Sequence, residues 1–424
     1  MAAAPSHVYP RGARLDAGGR LQIAGCDALE LAREFGTPLY VLDEDELRTR
    51  AREFTEALRR HHDGPGAVLF ASKALPCTAA YRVLAEEGLS CDVASGGELH
   101  LALRGGFAPE RLYLHGNAKS EAELAAALEA GVGQIVLDNA DDVDKLERLV
   151  APGRRQRVLL RVTPGVEPAT HAAMATGQSD SKFGWSMAEA AQALHRLGDH
   201  PQLELVGLHA HIGSQILALE PFRRAVEAMA TLGPFGVYNL GGGLGADYTS
   251  LDRAPSLEDY VQVKATAVRE LLGPGRTLLI EPGRSLTARA GVTLYTVQSV
   301  KRNVLTWVAV DGGMSDNMRP MLYGSRYEAD VADRFAAGPR DGEICHLAGK
   351  HCESGDVIAR DVRLVDPRPG DVVVTPATGA YGHAMANNYN GVPRAPVVLC
   401  SGGDARLVVR RETHEDLGAR DVGL

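Results

Sequence analysis

No run of the 424 residues approaches the roughly 20 consecutive apolar positions that a membrane helix requires. The opening stretch, MAAAPSHVYPRGARLDAGG, lacks a basic segment followed by an apolar core, so no secretory signal is read and a cytoplasmic location is expected. An excess of positive charge is also missing. The formal net charge of −9 disfavours a nucleic-acid partner, since contacts to a phosphate backbone need a basic surface. The six cysteines, Cys26, Cys77, Cys91, Cys345, Cys352 and Cys400, contain no C-x-x-C pair and no zinc-like spacing with histidine. That excludes a disulfide framework and a structural metal, and most of them should be buried small hydrophobes. No low-complexity segment is found.

What is there is a repeating alternation of strand and helix. Eight apolar, β-branched windows lie between residues 67 and 286: 67–73, 89–95, 111–116, 134–139, 157–164, 204–214, 236–244 and 277–286. Between them, stretches such as EAELAAALEAG and MAEAAQALHRLG repeat apolar residues at three and four and end in glycine, as helices do. Eight such units predict an α/β fold, a (β/α)8 TIM-type barrel, with its chemistry on the loops after the strands.

The period changes after about residue 290. VTLYTVQSV, TWVAVDGG, DVIARDVRLVD, DVVVTPAT, APVVLCSGG and ARLVVRRET read as strands with Gly, Pro and Asp between them. A second, all-β domain is expected over 286–424. The first 36 residues, with a strand candidate in RLQIAG, are assigned to it, which leaves 37–285 to the barrel.

Four signals fall at the same predicted end of the barrel. Lys73 closes the first strand window, where a lysine is either a rim charge or an amine in a dry pocket able to form a Schiff base. The run GGGLG at 241–245 is either a tight turn or a set of bare N–H groups converging on a phosphate. Glu281 and Arg284, in EPGR, are either an ordinary ion pair or a functional acid and cation. His211, in HAHIGSQ, is either a satisfied core residue or a ring that stacks on a ligand. Taken together, an amine, a phosphate cradle, a flat ring and a carboxylate are what pyridoxal 5'-phosphate requires.

Ten motifs in order extend that reading over nearly the whole chain: FGTPLYVLDEDELR, CDVASGGEL, HGNAKSEAEL, SDSKFG, HIGSQI, NLGGGLG, EPGRSL, DGGMSDNMRPMLY, CESGD and GAYGHAMANNYNG. The chain thereby resembles the pyridoxal-phosphate decarboxylases with an alanine-racemase-like barrel, and within them the branch that converts meso-2,6-diaminopimelate to L-lysine and CO2. The resemblance implies that Lys73 is the Schiff-base lysine and that His211 stacks on the cofactor. It implies that Ser214, Gly241, Gly242, Gly243, Gly283 and Arg284 belong to the cofactor site and that Glu281 faces the pyridine nitrogen. It further implies that Tyr381 serves phosphate or substrate, that Cys352 donates a proton, and that Glu353 reads the substrate's far amine. Arg284, Arg319 and Tyr323 resemble the binders of the distal carboxylate. A homodimer with composite sites is implied as well, the CESGD loop entering the partner's barrel. Departures from the family pattern are Ala118 after HGN, SKAL around Lys73, and His383.

Two other classes of reading stand beside this one. Related decarboxylases act on ornithine, lysine, arginine or a carrier-bound amino acid, but a buried Arg319 without a carboxylate partner would be costly there. A racemase on a similar barrel favours a weakly charged ring nitrogen, against Glu281. A non-catalytic relative would have no need of Lys73, Cys352 and the phosphate motif together.

Overall fold

The computed structural model describes residues 4–167, 176–177, 181–338 and 341–423. The chain divides into two compact units, one of residues 50–245 with 253–286, the other of 1–49, 246–252 and 287–424.

The first unit is a closed barrel of eight parallel strands: β1 (Gly66–Ala71), β2 (Ser90–Val93), β3 (Leu112–Leu114), β4 (Gln134–Leu137), β5 (Gln156–Thr163), β6 (Leu203–His209), β7 (Val237–Asn239) and β8 (Thr277–Ile280). Each pairs with the next in sequence, and β8 closes on β1 with Leu279 opposite Ala67. All eight expected strands are present, so the (β/α)8 architecture read from the sequence is the one observed. Inward side chains fill the barrel, with Leu69, Tyr113, Val136, Leu159, Val237 and Leu279 forming one buried cluster.

The helices between strands follow from local chemistry. In Glu121–Ala130, Ser120 and Glu123 form a reciprocal capping box, Leu124 and Ala127 are buried three residues apart, and Gly131 ends the helix at φ +77°. Several strands are shorter than their sequence windows. β6 stops at His209, β7 at Asn239 and β8 at Ile280, and the remaining residues of those windows become the loops that carry the site. Gly241 and Gly243, at φ +59° and +107°, take the backbone out of the extended range directly after β7.

The second unit is built on one sheet of nine strands. Its centre is Gly291–Arg302, which pairs antiparallel with Leu39–Asp43, Thr306–Val310 and Val372–Thr375. Three strands of this sheet escaped the sequence reading, among them the short Asp330–Val331, antiparallel to Val373–Val374. Glu343–Ala348 is a strand parallel to Thr306–Val310, and Leu39–Asp43 pairs with both Gly291–Leu294 and Val397–Cys400. The latter moves the first boundary from the expected residue 36 to Thr49, because LYVLD is buried throughout and both its edges bond strands of this unit. Leu21–Ile23, inside RLQIAG, is the middle of a separate three-stranded sheet.

Candidate active site

The barrel site is built from residues at the C-terminal ends of its strands. After β1, Ser72–Ala74 form a single 3-10 turn that carries Lys73 just beyond the strand rather than as its last residue. Lys73 is exposed at this mouth. Its charge opposes the burial-driven rise in the pKa of Asp92, on β2, and adds to burial in lowering that of His211, after β6.

Glu281, directly after β8, is the electrostatic centre. Asn239 Nδ2 donates to its Oε1 at 2.6 Å, His209 Nε2 lies 3.3 Å from its Oε2, and His115 Nε2 lies 3.1 Å from Oε1. Burial alone would push this carboxyl up, but His115 and His209 outweigh it and hold it well below the usual carboxylate range. His209 itself is pushed down to about 4, chiefly by burial, so its imidazole is neutral and donates Nε2–H to Glu281. Its buried Nδ1 has no hydrogen-bond partner among the described residues. Asp92 behaves oppositely. Burial first, then the charge of Glu281, raise it to about 7, with His115 and Lys73 opposing.

The glycine loop runs from this acid toward an anion-ready corner. Gly241 N–H donates to Asn239 Oδ1 at 3.0 Å, and Gly242 N–H donates to His211 Nδ1 at 3.1 Å. The second bond fixes the neutral His211 with its proton on Nε2, consistent with a pKa held well below normal by burial and by the Lys73 charge. Of the three glycine N–H groups, only that of Gly243 makes no bond among the described residues. The backbone here is closely confined, since a Cβ on Gly242 would stand 2.2 Å from Glu281 O, and one on Gly283 2.9 Å from Ala71 Cβ. Next to the loop, where Ile216 N–H bonds Gly243 O, Ser214 accepts from Arg284 Nε and Nη2 at 3.2 and 2.9 Å.

The architecture agrees with what known proteins show. Residues 44–288 match the family described as pyridoxal-dependent decarboxylase, pyridoxal binding domain. The chain belongs to the pyridoxal-dependent decarboxylases. Among relatives, a protein named diaminopimelate decarboxylase from Actinosynnema pretiosum subsp. auranticum is 48% identical, over 98% of this chain and 95% of its own. The protein of that name from Bacillus subtilis (strain 168) is 44% identical over 95% of each. Among solved structures, diaminopimelate decarboxylase from M. jannaschii in co-complex with L-lysine matches with a TM-score of 0.90 and 32% identity, covering 98% of both chains.

As a pyridoxal-dependent decarboxylase the chain is a carboxy-lyase that uses pyridoxal 5'-phosphate. The residues present fit that cofactor. A buried anionic Glu281 suits a protonated ring nitrogen, and an unpartnered Gly243 N–H beside Ser214 and the nearly buried guanidinium of Arg284 suits a phosphate dianion.

The other expected residues of this decarboxylase lie in the second unit. Arg319 opens the short helix Arg319–Tyr323 and is only 1% exposed. Its guanidinium lies 4.1 Å from the Tyr248 ring centroid, bonds Ser325 Oγ at 3.1 Å and the Tyr327 hydroxyl, and leaves Nε without a partner among the described residues. No ion pair of the described residues includes it. Tyr323 ends the same helix, and Tyr381, at φ +62°, adds to the electrostatic surroundings of Arg319. Cys352 is the exposed cysteine, the other five being buried, and its N–H donates to Asn390 Oδ1 at 2.8 Å. Glu353 follows it, also exposed. Of the departures noted in the sequence, His383 is accommodated as packing, edge-on to Tyr40 at 5.8 Å with its pKa pushed down to about 4 by burial. The motif SDSKFG begins with two residues outside the described range.

Sequence reasoning passed over Asp92, His115, His209 and Asn239. Each sits at or just beyond the end of a barrel strand, so the strand windows did contain the signal.

Proposed function

We propose that this decarboxylase converts meso-2,6-diaminopimelate to L-lysine and CO2. The observation that carries the substrate reading is Arg319, a buried guanidinium held by hydroxyls and aromatic faces, with no carboxylate among the described residues. Such a cation is costly unless an anion joins it, and diaminopimelate brings a distal carboxylate that lysine and ornithine lack. The names of the near full-length relatives support the same substrate.

Pyridoxal 5'-phosphate, when bound, supplies an aldehyde for amine exchange and a pyridinium ring that takes up the electron pair released as CO2 departs. Lys73 is the amine that would hold the cofactor covalently and give way to the substrate's α-amine. Glu281, held below the usual carboxylate range by His115 and His209 and hydrogen-bonded by Asn239, would keep the proton on the ring nitrogen. His211, its orientation set by Gly242 N–H, would stack on the ring. Ser214, Arg284 and Gly243 would receive the phosphate, with Gly241, Gly242 and Gly283 letting the backbone approach it closely. Cys352 returns a proton to Cα. Arg319 and Tyr323 bind the distal carboxylate, Glu353 the distal ammonium, and Tyr381 completes the pocket. A homodimer, in which the loop of Cys352 and Glu353 from one subunit completes the partner's barrel site, belongs to this reading, as does a cytoplasmic location.

The test is a panel of amino acids offered to purified protein with pyridoxal phosphate, measuring CO2 and identifying the product. The reading expects L-lysine from meso-diaminopimelate. Equal turnover of lysine or ornithine would refute the substrate while leaving the decarboxylase standing.

A further inference from the structure

On the helix Leu257–Leu272, Tyr260 and Lys264 stand one turn apart, and both are fully buried. Lys264 Nζ donates to Leu240 O and Gly241 O, each at 2.8 Å, lies 3.3 Å from Gly242 O, and contacts the Tyr260 hydroxyl at 2.5 Å. That hydroxyl is in turn 3.1 Å from both Gly241 O and Gly242 O. The amine also lies 4.2 Å from the Tyr260 ring centroid and 4.9 Å from that of Phe222. No ion pair of the described residues includes Lys264. A leucine would fill this place without the cost of desolvating an amine. What the lysine adds is a grip on three successive carbonyls of the glycine loop.

The geometry of the peptide unit gives that grip a direction. In a trans peptide the C=O and the following N–H point to opposite sides. With the carbonyls of 240–242 gathered on Lys264 and Tyr260, the N–H groups of Gly241, Gly242 and Gly243 face away from the helix. Those of Gly241 and Gly242 are taken by Asn239 and His211, and that of Gly243 is left to present itself. Donors on a carbonyl also polarise the attached N–H, which makes it the better donor to an anion.

We propose that Lys264 and Tyr260 are positioning residues for the phosphate grip, holding the carbonyl side of the glycine loop so that Gly243 N–H is aimed at a phosphate monoester. The proposal rests on the reading that this loop receives the cofactor's phosphate, and it adds the residues that set the loop from behind.

The experiment titrates the full chain, freed of cofactor, with pyridoxal phosphate and separately with pyridoxal, which lacks the phosphate. Wild type, Tyr260→Phe and Lys264→Met are compared, and inorganic phosphate is added as a competitor. Each variant should weaken pyridoxal phosphate by about tenfold, the scale of one charge-assisted hydrogen bond. Pyridoxal binding should be unchanged. A purely structural role would weaken both ligands together and would overturn the proposal. Tyr260→Phe removes a single oxygen and carries the test should Lys264→Met fail to fold. If wild type binds both ligands equally and inorganic phosphate does not compete, the loop reading falls and the proposal with it. If wild type prefers the phosphorylated ligand and both variants keep that preference, only the proposal falls.

Discussion

The Asn239 side chain bonds Glu281 through Nδ2 at 2.6 Å while its Oδ1 accepts Gly241 N–H at 3.0 Å. One amide thus links the acid assigned to the cofactor ring with the loop assigned to the cofactor phosphate. Glu281→Gln should lower kcat on the order of a hundredfold, the usual loss when a preorganised electrostatic partner is removed. Asn239→Ala should cost about tenfold and also weaken cofactor binding. Steady-state kinetics and a cofactor titration check both, and an Asn239→Ala enzyme with unaltered values would contradict the link.

Lys73 should carry the covalent attachment of the cofactor. Borohydride treatment followed by peptide mapping is expected to find the label on Lys73, and Lys73→Ala should abolish multiple turnover even where cofactor still binds. Sustained turnover in that variant would remove Lys73 from its assigned role.

Shared sites predict complementation. Lys73→Ala and Cys352→Ala, each inactive alone, should regain activity when mixed under conditions that exchange subunits. A strictly monomeric active protein, or exchange without recovery, would rule out the composite dimer.

Arg319→Ala should reduce activity on meso-diaminopimelate about tenfold or more, from the loss of one charge-assisted contact. Residual activity on lysine, which has no distal carboxylate, should change far less. An equal loss on both substrates would show that Arg319 supports the fold and not the choice of substrate.

A pH effect on stability should trace to Asp316. It accepts from Tyr295 Oη at 2.6 Å and Gly313 N at 2.8 Å, but burial, the largest influence, raises its pKa to about 7, with Asp356 and Asp311 adding to the rise. A carboxyl whose folded pKa lies above its unfolded value binds its proton more tightly when folded. Its contribution is complete below about pH 4, where both states are protonated, and is lost as pH climbs through about 7. Asp316→Asn should therefore flatten the decline of thermal stability across that window, read from melting curves at stepped pH. An unchanged slope would assign the effect to other groups.

Much of this protein is determined along the chain. The eight barrel strands announce themselves through β-branched runs of limited length, and the helices through three- and four-residue spacing closed by Ser caps and by Gly131, because those patterns express local backbone and burial preferences. Lys73, His211, Glu281 and the glycine run were legible because they stand just beyond strand ends, where a barrel places its chemistry. Other features depend on partners remote in sequence. LYVLD became a strand of the β unit because Gly291–Leu294 and Val397–Cys400 offer it two edges to bond, a fact no local window contains. The protonation of Glu281 is decided by burial against His115 and His209, which come from the ends of two other strands. Lys264 reads in sequence as an ordinary helical lysine, and only the packing of its helix against the loop after β7 turns it inward onto three carbonyls. Propensity acts between near neighbours, whereas desolvation and charge act through space, so the strands could be read from the chain and the electrostatics of the site had to wait for the fold.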